Sequence, residues 1–578
     1  MTSGAATSRA LRELEGIQGQ YGPGLAARKC ALLRRLGRAR FATPAALARW
    51  HESICWLRAY SDNRAVLAAA EAQARAFAQR PDLRRHRLAL ESTGIAGTDI
   101  RYAFFADTAR WMARRWPGRL EVDWDEFPAA KQELLEGRLG LITHLAESPA
   151  VDESSLGLRD WVSALRGPRE ADGGALGRAL DALAESPASR DVYQDELDVP
   201  MVLRWGNDSP SRTLARFAGA PAQFQSGPMR SGRPDLAAEL LRPPVSIQAL
   251  DLADGRAAIA LARGAMVTRE RDLDAFANGD PRDVRLVDCG GGLSFLAIGI
   301  RPDRRLLLES VYGFLTLKNG VPIGYVLTSA LFGSSEIAYN VFETYRGGEA
   351  AWVYARVLAM TRAIFGSEVF TIYPSQLGGE GNQEGLQSGS WWFYQKLGFR
   401  ARDAGVLRLM RRELARMRGN PAHRSSIPTL KKLAAHNVYL ESGLRRNDVM
   451  GALRADRIGL AVTRYLSKHY GGDRRAAAGA CAEEAAALLG AKAWRSWPDE
   501  EQRAFSSWSP LLLILPGVTG WSAAERRAAV AVMRAKGGRR ESDFVRLLDR
   551  HSRLRGGLAA LAARPARSAQ GKILPGAE

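Results

Sequence analysis

The sequence predicts an α/β fold, with a sheet in the middle of the chain and helices on both sides. Short β-type runs crowd residues 244–373: VSIQAL, RLVDC, LSFLAIGI, FLTL, IGYVLTSALF, EIAYNVF and VFTIY. Stretches that mix Ala, Leu and Arg at helical spacing fill the chain before and after them. A length of 578 residues, 46% hydrophobic and 25% charged, is globular and excludes a disordered or fibrous chain. At roughly 100–200 residues per domain it has room for about three or four domains.

The elements follow in order. Residues 1–205 read as a helical domain, on runs such as NRAVLAAAEAQARAFAQ and FADTARWMARRW, and their tryptophans are expected in a core. Residues 206–240 are rich in Gly, Pro and Ser and read as a linker or long loop. Residues 241–405 form the α/β segment, with helices near 255–268 and 350–365. Asn319-Gly320 between two strand runs predicts a hairpin, because both turn positions need positive φ. Asp288-Cys289-Gly290-Gly291-Gly292 reads as a β-turn between two further strands. Residues 406–578 return to helix, through LRLMRRELARM, PTLKKLAAHNVYL and RRAAAGACAEEAAALLG.

Charge is distributed unevenly. The net charge is +20, yet residues 241–405 balance 17 basic against 17 acidic side chains, and residues 1–240 carry 33 against 30. Residues 406–578 hold 32 basic and 15 acidic, an excess of 17. Such a field attracts nucleic acid or an acidic partner, while a basic solvated surface is the plain alternative. The four cysteines are scattered, which argues against a disulfide framework or a cysteine zinc site and suits a reducing cytoplasm. The first residues lack an apolar signal region, and the apolar runs fall short of the roughly 20 residues that span a bilayer. A cytoplasmic location without a membrane span is therefore expected. His51 and Cys55 share a helix face, but two ligands do not make a metal site. No P-loop, HExxH or GxSxG string occurs.

The chemistry concentrates near residue 345. A strand from Glu336 to Phe342 places Ile337, Tyr339 and Val341 on one face and Ala338, Asn340 and Phe342 on the other. It runs through Tyr345-Arg346-Gly347-Gly348-Glu349-Ala350-Ala351 into a helix with Val353, Val357, Met360 and Ile364 along one stripe. A glycine loop that opens a helix presents unpaired amides and the positive end of the helix dipole to a phosphate. An ordinary strand-to-helix turn has the same local pattern.

After VFTIY come a Gly-rich loop and a helix that closes in Trp391-Trp392-Phe393-Tyr394-Gln395-Lys396-Leu397-Gly398-Phe399. At this point residues 245–405 resemble the GNAT superfamily of acyl-CoA-dependent N-acyltransferases, through the RxxGxG/A-like loop and the FYQKLGF string. The resemblance implies a mixed, mostly antiparallel sheet, with acetyl-CoA or another acyl-CoA as cosubstrate and no metal. It implies a pyrophosphate on Arg346, Gly347, Gly348, Glu349, Ala350 and Ala351, and a pantetheine arm along Val341 and Phe342. Tyr394 would hydrogen-bond the departing thiolate, and Glu343 or Glu336 would take the proton of the incoming amine. Gln387 stands seven residues before Tyr394, where the family often carries Asn. Read from Arg346, the loop has Glu349 in place of the first glycine; read from Tyr345, it keeps Gly348 and loses the leading Arg. The implied function is transfer of an acetyl or other acyl group to a small-molecule or protein amine. The alternative is a catalytically degenerate scaffold whose basic residues 406–578 hold nucleic acid or an acidic partner.

Overall fold

The computed structural model describes residues 2–142, 156–183, 197–230, 232–347, 349–441 and 443–564. A small antiparallel sheet lies in the N-terminal part: β1 (Ile100–Ala103), β2 (Leu120–Val122) and β3 (Pro200–Leu203), in the order β1-β3-β2. The main sheet has nine strands. These are β4 (Ser246–Ala249), β5 (Gly279–Asp288), β6 (Leu293–Ile300), β7 (Ser310–Lys318), β8 (Val321–Leu331), β9 (Ser334–Val341), β10 (Val369–Ile372), β11 (Arg400–Ala401) and β12 (Val438–Glu441). Their order is β11-β12-β10-β9-β8-β7-β6-β5-β4, and every neighbouring pair is antiparallel except β9 with β10.

Turn chemistry explains the run from β5 to β9. Asn319 and Gly320 both take positive φ (51° and 80°) between β7 and β8, as a primed hairpin turn requires. Gly290, Gly291 and Gly292 do the same between β5 and β6. The parallel β9/β10 pair needs a crossover, and the helix Ala350–Phe365 supplies it, ending on Gly366 at φ 77°.

Alternation then sends side chains to two separate cores. Phe295, Tyr312, Phe314 and Ile337 face the helix Ala350–Phe365 together with C-terminal residues such as Trp508 and Phe544. Leu296, Leu315, Leu317 and Tyr325 face the N-terminal helix Pro44–Ala59 and the helix Leu252–Val267. Every residue of β6 is buried, as expected for a strand covered on both faces.

Two expected boundaries look different in the structure, and one expected loop is partly anchored. Residues 1–205 contain β1, β2 and β3 besides helices. Among the described residues, 206–235 run as a long loop, as expected, and its first part is anchored: Thr213 Oγ1 accepts from Ala96 N at 2.8 Å and lies 2.8 Å from His51 Nε2. Asn319 Oδ1 accepts from Gln223 N at 2.7 Å. Gly, Pro and Ser mark irregular backbone there, and its polar groups still need partners. The sheet also runs past residue 405, because β12 inserts between β10 and β11. Arg305 Nη1 donates to Lys536 O (2.8 Å) and Gly538 O (2.6 Å), tying the C-terminal helices to the segment before β7. Among the described residues no helix is long and apolar enough to cross a membrane.

Candidate functional site

The site begins where two strands part. β9 and β10 pair at Ser334–Val369, Ser335–Phe370 and Glu336–Thr371, and then stop. β9 continues to Val341 against β8 alone. β10 ends at Ile372, and Pro374 turns the chain into the short helix Pro374–Leu377; proline cannot donate to a ladder. Phe342 N donates to Ile323 O of β8 at 3.0 Å, so alternation aims the main-chain groups of Tyr339 and Val341 away from β8, into the gap. The gap is a cleft of about 310 Å³, bounded by Tyr339, Asn340 and Val341 on one side and by Asn382, Ser390 and Tyr394 on the other. That volume is at the small end of ligand pockets.

The N-terminus of the helix Ala350–Phe365 closes one end of the cleft, through Arg346, Gly347 and Ala350. No side chain caps this helix. Gly347 sits at φ 82°, and a Cβ there would meet nothing within 4 Å, so the turn needs glycine and its backbone lies open. Gly348 lies outside the described residues. Glu349 is 4% exposed and turns inward. Its Oε2 is 3.0 Å from Lys318 Nζ, and its Oε1 accepts from Arg230 N at 3.2 Å. Lys318 also donates to Gly291 O at 2.9 Å; burial lowers its pKa, and the Glu349 charge opposes that effect. Arg346 is exposed and pairs with Glu384 at the lip of the cleft, while its Nε donates to Val341 O at 3.3 Å.

Tyr394 lies in the helix Ser390–Leu397, 3% exposed and edge-on to Tyr354 with ring centres 5.5 Å apart. Burial and then the charge of Glu336 hold its pKa well above the ordinary phenol value, so it stays a proton donor at neutral pH. Glu336 sits at the last rung before the strands part. Burial, reinforced by the charge of Glu309, pushes its pKa up to about 8. Ser329 stands opposite Glu336 on β8.

The remaining expected residues scatter. Glu343 is exposed in the turn Glu343–Tyr345, where its carbonyl accepts from Arg346 N at 3.1 Å, and it does not line the cleft. The Phe342 ring is buried in the opposite core with Arg269 over it at 3.6 Å. Ala351 is half-buried in the first helical turn, and Gln387 is exposed; neither lines the cleft.

Three residues of the site were not among those expected from the sequence. Asn382 Oδ1 caps Gly385 N at 2.8 Å, and its Nδ2 donates to Ser375 O at 2.6 Å, which ties the far wall together. An N-cap Asn three residues before a helix-turn amide was the signal available. Ser390 Oγ bridges Gln376 O and Gly385 O, both at 3.1 Å. Lys318 precedes the hairpin Asn-Gly and had no local signal. Elsewhere, Cys55 Sγ lies 3.6 Å from His51 Nε2. Burial pushes that thiol up to about 11 and the imidazole well below its usual value, so both are neutral at pH 7. Among the described residues no group of three or more His, Cys, Asp or Glu side chains is placed to hold a metal ion. No family model, no curated protein and no solved structure matches this chain.

Proposed function

We propose that the chain is an N-acyltransferase of the GNAT type, which moves an acetyl or other acyl group from acyl-CoA to an amine. One observation carries this. β9 and β10 part at Glu336, and the cleft they leave holds an uncapped helix N-terminus at one end and the Tyr394 phenol in its wall. The diphosphate of the donor would meet the helix N-terminus beside Gly347, and its amide-bearing arm would pair with the edge of β9 at Tyr339 and Val341, displacing Arg346 Nε from Val341 O.

The chemistry follows from the residues present. An ammonium acceptor must lose a proton before it attacks a thioester, and a base with a pKa near 8 is well matched to that task. Neither Glu336 nor Glu343 lines the cleft itself; Glu336, at the rung where the strands part, has that affinity, whereas Glu343 is exposed in the turn after β9. The nitrogen lone pair forms the new C–N bond. A main-chain N–H on the edge of β9 would hold the tetrahedral oxygen. The C–S bond then breaks, and Tyr394 donates a hydrogen bond to the sulfur as negative charge builds there. The scaffold alternative had two supports, Glu349 as a charge repelling phosphate and the basic excess of residues 406–578. With that carboxylate turned inward onto Lys318, the first no longer weighs against phosphate binding, and the basic surface is compatible with either reading.

Calorimetric titration of acetyl-CoA into the full chain tests the proposal. Saturable binding is expected, and Tyr394→Phe should retain it while cutting turnover by more than roughly tenfold. The absence of both heat and thermal shift at millimolar acetyl-CoA would overturn it.

A further inference from the structure

Eleven basic and two acidic side chains fall in residues 396–432, so this short segment holds +9 of the chain's +20. The helix Ala404–Gly419 carries much of it. Asp403 caps the helix, its Oδ1 accepting from Val406 N at 2.8 Å. Val406 and Met410 are buried against the main core, which leaves Arg408, Arg411, Arg412 and Arg418 exposed on the outer side. Arg424, Lys431 and Lys432 extend the exposed surface.

The countercharge is already engaged. Glu413 is 1% exposed and binds Arg416 (2.8 Å), His423 (3.0 Å) and Ser425 (2.7 Å). Among the described residues, none of the seven exposed cations named above forms an ion pair with a carboxylate. In the later helices Arg454 pairs with Asp456, Arg495 with Glu483 and Arg534 with Glu501. Arg474, Arg475, Lys492 and Arg503 are exposed there without an ion pair among the described residues, but they are spread over several elements rather than along one helix. The basic segment also adjoins the cleft. The helix Ile427–Leu433 packs on the helix Gln383–Ser388, which forms part of the far wall, and Trp392 Nε1 donates to Ser425 Oγ at 3.2 Å.

We propose that this surface binds nucleic acid through its phosphates. Arg408 and the Arg411–Arg412 pair lie one helical turn apart, about 5–6 Å, and Arg418 is about 10 Å beyond that pair along the axis. They form a row of cations that can meet successive phosphates of one backbone. Ile427 is the only large hydrophobic side chain exposed on the segment, at 42%. A protein partner wants buried aromatic or aliphatic anchors, and an interfacial membrane helix wants a broad apolar face; neither is offered here. No exposed aromatic ring is available for base stacking among the described residues of the segment. Binding therefore reads the backbone and is weakly dependent on sequence.

The test uses the full chain and fluorescent RNA of about 24 nucleotides, single- and double-stranded, with anionic phosphatidylserine vesicles as the competing probe. Affinity should fall linearly in log–log terms with salt, with a slope of about −4 to −6 for five to seven phosphates. Reversing Arg408, Arg411, Arg412 and Arg418 to Glu should weaken binding more than tenfold at about 100 mM KCl and flatten the slope by about 3. A charge-matched control reverses Arg474, Arg475, Lys492 and Arg503, which are exposed elsewhere in the C-terminal helices. It should weaken binding less than about threefold. Unchanged circular-dichroism melts guard against misfolding. Equal weakening by both sets, no RNA binding at about 50 mM KCl, or binding to vesicles without RNA would each overturn the proposal. RNA affinity should survive Tyr394→Phe, so a failure here and a failure of the acyltransferase reading are told apart.

Discussion

Replacing Glu336 by Gln should stabilise the protein at alkaline pH and leave it unchanged at acid pH. Burial and Glu309 raise the carboxyl from its ordinary 4.5 to about 8 in the folded chain. Between those values the unfolded chain has released this proton while the folded chain retains it. The folded state therefore binds more protons, and stability falls as pH rises through the window, by about 1.4 kcal/mol per pH unit. Over about 3.5 pH units the ceiling is about 5 kcal/mol. Because Glu336 as a residue is half-buried rather than buried, about half of that is the working figure. Below pH 4.5 the parent side chain is a neutral near-isostere of Gln, and the two proteins should match. At pH 9 the variant should exceed the parent by about 2–3 kcal/mol. Urea-unfolding midpoints of both proteins at pH 4 and pH 9, compared within each pH, measure the difference. A gap of the same size at both pH values would refute the reasoning, since a packing effect carries no proton dependence.

The remaining predictions concern the loop, the lip and the acid limb of the rate. Lys318→Met strands Glu349 in the interior and should cost about 3–5 kcal/mol in urea unfolding, with at least half recovered by adding Glu349→Gln. Gly320→Ala and Gly347→Ala put alanine at nearly the same φ, 80° and 82°. The former also drives a Cβ to 2.5 Å from Phe217 O, so it should destabilise by more than about 2 kcal/mol, against about 1 for the latter. Gly347→Ala should instead show its effect as a raised Kd for acetyl-CoA. Glu384→Gln frees Arg346 at the cleft lip; it should tighten acetyl-CoA about threefold by calorimetry and alter stability by less than about 1 kcal/mol, because the pair is exposed. Initial rates should climb as pH rises through about 8, and Glu309→Gln, by removing a like charge, should move that limb to lower pH.

The local elements are legible in the amino-acid order alone. Short β-type runs located β4 to β10, Asn319-Gly320 marked the β7/β8 turn, and the stripe Val353–Val357–Met360–Ile364 located the crossover helix. These signals are short-range: side-chain alternation, turn φ and helical spacing act within a few residues. The same locality explains what was illegible. β12 joins the sheet from residue 438, about 65 residues beyond its neighbour β10, and such a pairing leaves no local trace. Glu349 reads in the sequence as a charge at a phosphate site. Only the tertiary fold decides that it turns inward, because Lys318 arrives from the end of β7. The proton affinity of Glu336 is likewise set by desolvation and by Glu309, contributed by another stretch of chain. Charge pairing and loss of water depend on which distant segments meet, and that is fixed by packing the two cores against one sheet.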